Sequence, residues 1–314
     1  MNPQLQSPLF GVIPAEIRNE IFDLALQWYD DPEKLYVDSW VAGYCSRPGF
    51  RGSKKIDAAL LRTCKKVYEE TKAIPLRDLE LAYYLGYSRR APTGFQPYPH
   101  HKHHVFEDPK ADKLWIQQLI KVSHARIFAQ MYAFGADPIY GCIFRGKQTI
   151  SPTTVTITIR YTDWWNWESN APLSVSSLRP SLAEIFFPFS VEKLVMELET
   201  RDGKKKELER VIVEMRGWEY NRDDEEALKM AEDEPVKEWT WDGPTAFENG
   251  TIYHHHPTGD TMKYVVKVLT WRARKSSVRP LNEVDLKKRR IKRGSARWGF
   301  PRPLRNEHHE QSGF

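Results

Sequence analysis

The stretch Thr154-Val155-Thr156-Ile157-Thr158-Ile159-Arg160-Tyr161-Thr162 alternates β-branched or aromatic apolar residues with polar ones at every second position. That is the period of a strand with one face in a core, and the residue types are those that fit a pleated sheet. On its C-terminal side the pattern predicts a short helix over 181–187, a second strand over 193–200 and a turn at Arg201-Asp202-Gly203. A helix over 204–218 follows, with Leu208, Val211, Ile212 and Met215 inward. After the acidic run Asp223-Asp224-Glu225-Glu226, a third strand is predicted over 262–271. A β-α-β-α-β order points to a small α/β layer of about three strands with right-handed crossovers.

On the N-terminal side the period is helical. Pro14 suits a first turn, Glu16 suits the positive end of the helix dipole, and Ile17, Ile21, Leu24 and Trp28 recur at helical spacing, with Phe22 and Leu26 widening the stripe. Residues 30–55, rich in Gly and Pro, read as an irregular insertion. Asp57 offers a cap to a helix running to about 72, and 76–87 reads as a third helix. Residues 111–134 read as helix again, with Ile116, Ile120, Ile127 and Met131 on one side. The expected class is therefore α+β. A helical module over 1–87 is followed by a Pro/His-rich linker over 88–110. A helix plus α/β domain then covers 111–274, with an acidic loop at 222–260, and a basic tail covers 275–314.

The chain has 314 residues, with 47 Lys+Arg against 42 Asp+Glu for a net charge of +5. That small excess hides an asymmetry: residues 270–314 carry 13 Lys/Arg and 4 Asp/Glu, so the rest of the chain is net acidic. The peak is Lys287-Lys288-Arg289-Arg290-Ile291-Lys292-Arg293. Such a run reads as a nuclear import signal, as a non-specific contact to nucleic acid through its phosphates, or as a solvated tail. A nuclear protein whose tail contacts nucleic acid is the alternative function. Nuclear rather than cytoplasmic residence is the expectation. No apolar stretch reaches 18 residues, the first residues lack the pattern of a signal peptide, and the three cysteines are unpaired in spacing. A reducing compartment and no membrane partner are expected.

Residues Ile13-Pro14-Ala15-Glu16-Ile17-Arg18-Asn19-Glu20-Ile21-Phe22, together with Leu60-Leu61-Arg62-Thr63-Cys64-Lys65-Lys66-Val67-Tyr68-Glu69-Glu70, resemble the start of large fungal families with an F-box-like module. Some of these are called two-ExR domains. Glu16-Ile17-Arg18 matches the first such triplet, and Glu70-Thr71-Lys72 stands where the second would be. The resemblance implies fungal origin, no known enzymatic activity and a Skp1-like adaptor of ubiquitin ligases as partner. Pro14, Ile17, Ile21, Leu24, Val67 and Tyr68 would be presented to it. The α/β part would hold a protein target, with the Trp164–Trp167 and Trp239–Trp241 regions as candidates.

The remaining constellations have quieter readings. Trp165 and Trp167 continue the face of Val155–Tyr161, so indoles buried at the sheet end are expected. Glu197 and Glu199 share a strand face and read as a solvated pair. The histidine tracts at 100–104 and 254–256 lack the paired ligands of a structural zinc site, so no metal or cofactor is expected. No phosphate loop, nucleophile elbow or zinc-protease motif occurs, which favours a binding protein over an enzyme.

Overall fold

The alternation at Thr154–Ile159 does form a strand, and it sits in the middle of an 11-stranded sheet. The computed structural model describes residues 6–36, 46–97, 105–111, 122–134, 139, 143–144, 150–176, 185–223, 226–247 and 250–275. Two short helices, α1 (Pro8–Gly11) and α2 (Ala15–Ala25), lead to the antiparallel pair β1 (Tyr29–Leu35) and β2 (Gly52–Lys55). Helices α3 (Lys65–Thr71) and α4 (Ile74–Arg77) then precede strand β3 (Glu80–Leu85). Strands β4 (Gln96–Pro97), β5 (Val105–Glu107), β6 (His124–Ala129), β7 (Thr154–Ile159), β8 (Phe186–Phe187) and β9 (Lys193–Arg201) follow. Helix α5 (Lys205–Met215) separates them from β10 (Glu219–Arg222), β11 (Glu226–Met230) and β12 (Lys237–Pro244). The described chain closes with β13 (Ala246–Phe247), β14 (Thr251–Ile252) and β15 (Thr261–Lys275).

The sheet runs β4-β5-β3-β6-β7-β9-β15-β11-β10-β8, with β12 also paired to β15. Strands β3, β6, β7 and β9 are mutually parallel, and β15 joins β9 antiparallel over Tyr264–Arg272. At 15 residues β15 is long enough to hold β12 and β11 one after the other along its second edge.

This corrects the α+β expectation of a helical module joined to about three strands. The segment 76–87 is helical only to Arg77 and then enters the sheet as β3, and 124–129 is strand β6 rather than helix. After Glu80, β3 is buried throughout and reads as a continuous apolar run without the period-2 signature. Strand β6 alternates only over His124–Ile127, too short a stretch to outweigh the helical spacing of Ile127 and Met131. The supposed insertion at 30–55 contributes β1 and β2, the supposed linker contributes β4 and β5, and the acidic loop at 222–260 contributes β11 to β14. Of the short helix expected over 181–187, residues 181–184 lie outside the described residues and Phe186–Phe187 is strand β8.

The predicted strand at 193–200 and the helix after it form as expected. Leu208, Val211, Ile212 and Met215 of α5 are buried in the same core as Leu194, Met196 and Leu198 of β9 and Leu269 and Trp271 of β15. On the other face, Phe50 packs on Phe128 of β6 with ring centroids 4.5 Å apart, and Tyr36 lies against Phe50. The chain between β1 and β2 thus helps to cover the sheet opposite α5.

That second face also carries charge. Arg126 donates to Glu80 Oε1 (2.8 Å) on β3 and to Glu197 Oε2 (2.9 Å) on β9, spanning the sheet between them. Arg47, only 3% exposed, lies 3.3 Å from Glu197 and 3.7 Å from Glu199. The Glu197–Glu199 pair is therefore an internal acceptor set and not a solvated one. Burial opposes the charge on Glu80, but Arg126 and then His124 outweigh it and hold the carboxyl below its ordinary value. Its stabilising contribution is present above the unfolded value of about 4.3 and is lost as pH falls through the folded one. Arg126→Met removes the cation that both carboxylates share, leaving Glu80 with His124 and Glu197 with Arg47 and Thr158, and is expected to cost roughly 3 kcal/mol at pH 7. In thermal unfolding the gap to wild type should narrow below about pH 4, where the carboxyls take up protons. An equal gap at both pH values would show that charge is not the source.

Candidate protein-interaction surface

Helix α2 begins after Pro14, whose extended backbone (φ −55°, ψ 150°) sets the entry, and stops at Leu26. Its apolar residues form two stripes. At about 100° per residue, the centre of the Ile17, Ile21, Leu24 stripe lies roughly 150° from that of Phe22 and Leu26. Phe22 and Leu26 are buried in a small cluster with Val67 and Ile74, bordered by Leu9, Phe10, Ile56, Leu60 and Leu61. Ile17, Ile21 and Leu24 face outward, 48%, 40% and 74% exposed. Phe22 and Leu26 therefore do not widen the first stripe; they oppose it.

Polar contacts fix the helix in that orientation. Arg18 donates Nε to Glu70 Oε2 on α3 (2.9 Å) and Nη1 to the carbonyls of Leu9 (3.4 Å) and Ile13 (3.3 Å). Arg77 of α4 reaches Asp23 Oδ1 of α2 at 3.0 Å, and Trp28 Nε1 donates to the Pro75 carbonyl at 2.9 Å. Helix α3 is capped by Cys64, whose Sγ accepts the Val67 N–H at 3.5 Å. Its Thr71 hydroxyl folds back to the Val67 carbonyl at 2.7 Å.

The six residues expected to meet a partner divide accordingly. Pro14, Ile17, Ile21 and Leu24 are exposed on and before α2, and Tyr68 is exposed on α3. Val67 is 3% exposed and belongs to the inner cluster, so it is not available to a partner. Lys287, Lys288, Arg289, Arg290, Lys292 and Arg293 lie outside the described residues, as do the histidines at 100–104.

At least two indoles are buried at the sheet end as expected, but Trp165 is not one of them. Trp164 and Trp167 are buried and Trp165 is 46% exposed, because β7 ends at Ile159 and helical turns at Tyr161–Asp163 and Trp167–Ser169 break the alternation. Trp239 and Trp241 lie on β12, where Trp241 stacks on Tyr264 (4.7 Å) and donates to Glu199 Oε2 (3.2 Å). His255 and His256 both place Nε2 against the Tyr161 hydroxyl, at 2.9 and 2.8 Å. Burial, and next the neighbouring His256, bring the His255 imidazole down to about 4. Among the described residues no group of three or more His, Cys, Asp or Glu could hold a metal ion.

A second exposed group escaped the sequence pattern. Tyr87, just after β3, is 54% exposed; its ring lies 4.7 Å from that of Tyr132, after β6, and Tyr132 lies 6.4 Å from Trp165, after β7. These aromatics become a group only once β3, β6 and β7 are recognised as successive parallel strands.

No protein-family model matches the chain, and no curated protein or solved structure is significantly similar to it.

The two stripes of α2 should respond differently to truncation. Phe22→Ala is expected to cost about 3–5 kcal/mol, the usual loss for a buried aromatic. Ile21→Ala should change stability by under about 0.5 kcal/mol, as for an exposed site. Denaturant unfolding of the two variants measures both, and a large loss in Ile21→Ala would mean that its stripe is covered in the folded protein.

Proposed function

We propose that the chain is a non-enzymatic protein-interaction protein that docks a partner on the outward stripe of α2. The observation that carries this reading is the set of three large apolar side chains at i, i+4 and i+7, 40–74% exposed, on the side of the helix away from its own core. Anchors at that spacing are what a helix presents to an apolar groove. Their energy is realised only when water is excluded from them, which favours a protein partner over a small solute. The rim suits a specific contact, since Glu16, Asn19 and Glu20 are exposed beside the stripe.

The partner we propose is a Skp1-like adaptor. The support is the likeness of residues 13–22 and 60–70 to an F-box-like start, together with the packing of Phe22 and Leu26 against Val67, which brings the two matching segments together. On this reading the sheet is the body that carries a target to the ubiquitin ligase.

The purified full chain is expected to retain a Skp1-like adaptor in a pull-down, and Ile21→Asp to lose at least tenfold in affinity with an unchanged circular dichroism spectrum. Retention by neither protein, or equal retention by both, would contradict the adaptor reading.

A further inference from the structure

Resting on the reading of the chain as an interaction protein, we propose a second binding surface. The row Tyr87, Tyr132 and Trp165, with the cleft beside it, takes an extended proline-rich peptide that carries an acidic side chain. The row lies where β3, β6 and β7 end, and the carboxyl ends of parallel strands are where open sheets of this kind leave room for ligands. Its backbone is held in place: the Tyr87 N–H donates to Oε1 of the buried Gln130 at 2.8 Å, which joins the ends of β3 and β6.

The geometry selects the ligand. Tyr87 and Tyr132 are inclined by 38°, and Tyr132 and Trp165 by 62°. Rings tilted this way and touching one another form a ridged aromatic surface and not a flat platform for stacked bases. Such a surface packs against the pyrrolidine rings of a polyproline helix, which loses little entropy on binding. The turn that follows Tyr87 forms one wall of an open cleft of about 360 Å³, lined by Arg89, Pro92, Phe95, Pro97 and Phe106 among others. Arg89 is exposed, and among the described residues it makes no hydrogen bond or ion pair. Arg90 next to it is committed to the Thr162 carbonyl (3.0 Å) and Glu168 Oε1 (2.9 Å). Among the described residues Arg89 is the free cation at the mouth of this mixed polar and apolar cleft, and it calls for a carboxylate among the ligand's apolar residues. A nucleic-acid strand would instead need a continuous basic track.

The test is fluorescence anisotropy of a fluorescein-labelled peptide of proline pairs alternating with glutamate, titrated with the full chain. Saturable binding is expected. Trp165→Ala and Arg89→Glu should each weaken it at least tenfold without changing the circular dichroism spectrum. A peptide with lysine in place of glutamate should bind wild type poorly and recover on Arg89→Glu. No saturation up to about 1 mM, a range in which weak peptide contacts are still detected, would overturn the proposal, as would binding that ignores both substitutions. Binding of an oligosaccharide or a single-stranded oligonucleotide, in place of the peptide and lost in Trp165→Ala, would also overturn it. Ile21→Asp should leave the peptide titration unchanged, so failure of the adaptor reading and failure of this one register separately.

Discussion

Helix α2 is apolar on two opposite sides, and its own small cluster can cover only one. Phe22 and Leu26 fill the space against Val67 and Ile74, and Arg18 and Asp23 are tied to α3 and α4, so the helix cannot roll to hide the other side. Ile17, Ile21 and Leu24 are left in water. Burying a large aliphatic side chain is worth about 1.5–3 kcal/mol, so these half-exposed residues hold on the order of 3–5 kcal/mol for whatever covers them. Soluble proteins seldom leave adjacent apolar groups exposed on one face without a use for them.

The sheet turns this local feature into an architecture with two ends. Helix α4 runs directly into β3, and the Ser123 hydroxyl donates to the Arg77 carbonyl at 2.5 Å, which places the helical cluster where β3 and β6 begin. The aromatic row lies where the same strands finish. A six-residue strand spans about 20 Å, so two partners could be held without competing for the same surface. Between the ends, the Glu80–Arg126–Glu197 bridge locks β3, β6 and β9 in register. The strands can therefore act as a stiff spacer.

How much of this was legible in the sequence follows from burial. Helix α5 faces one core, and its period of 3.6 residues announces it. Strand β7 is buried on both faces, but one of them carries the threonines Thr156 and Thr158, hydrogen-bonded to His124 and Glu197, so its period of two survives. Strand β9 was found for the same reason, since Leu194, Met196 and Leu198 alternate with partly exposed neighbours. Strand β3 is covered on both faces by apolar residues, which erases the alternation, so that Leu81 and Ala82 look as suited to a helix as to a sheet. Strand β6 alternates only over His124–Ile127, too briefly to outweigh a helical reading. In α2 the error was subtler. Counting apolar residues at helical spacing merged two opposite stripes into one, and only the packing of Phe22 and Leu26 against α3 separates them. The outward set Ile17, Ile21 and Leu24 was legible, but its exposure was not, because exposure depends on what the rest of the chain leaves uncovered. Val67 shows the converse: the F-box-like resemblance put it before a partner, and packing places it inside. The Tyr87–Tyr132–Trp165 group could not be read at all without the strand order, since its members are 45 and 33 residues apart in the chain.

The central claim is that one stripe of α2 stays open in the free protein and closes on a partner. Hydroxyl-radical footprinting of the full chain, alone and with a Skp1-like adaptor, measures this side chain by side chain. The account predicts that Ile17, Ile21 and Leu24 are modified in the free protein and protected in the complex, while Phe22 and Leu26 are protected in both. Protection of Ile17, Ile21 and Leu24 in the free protein, or their continued modification in the complex, would contradict it.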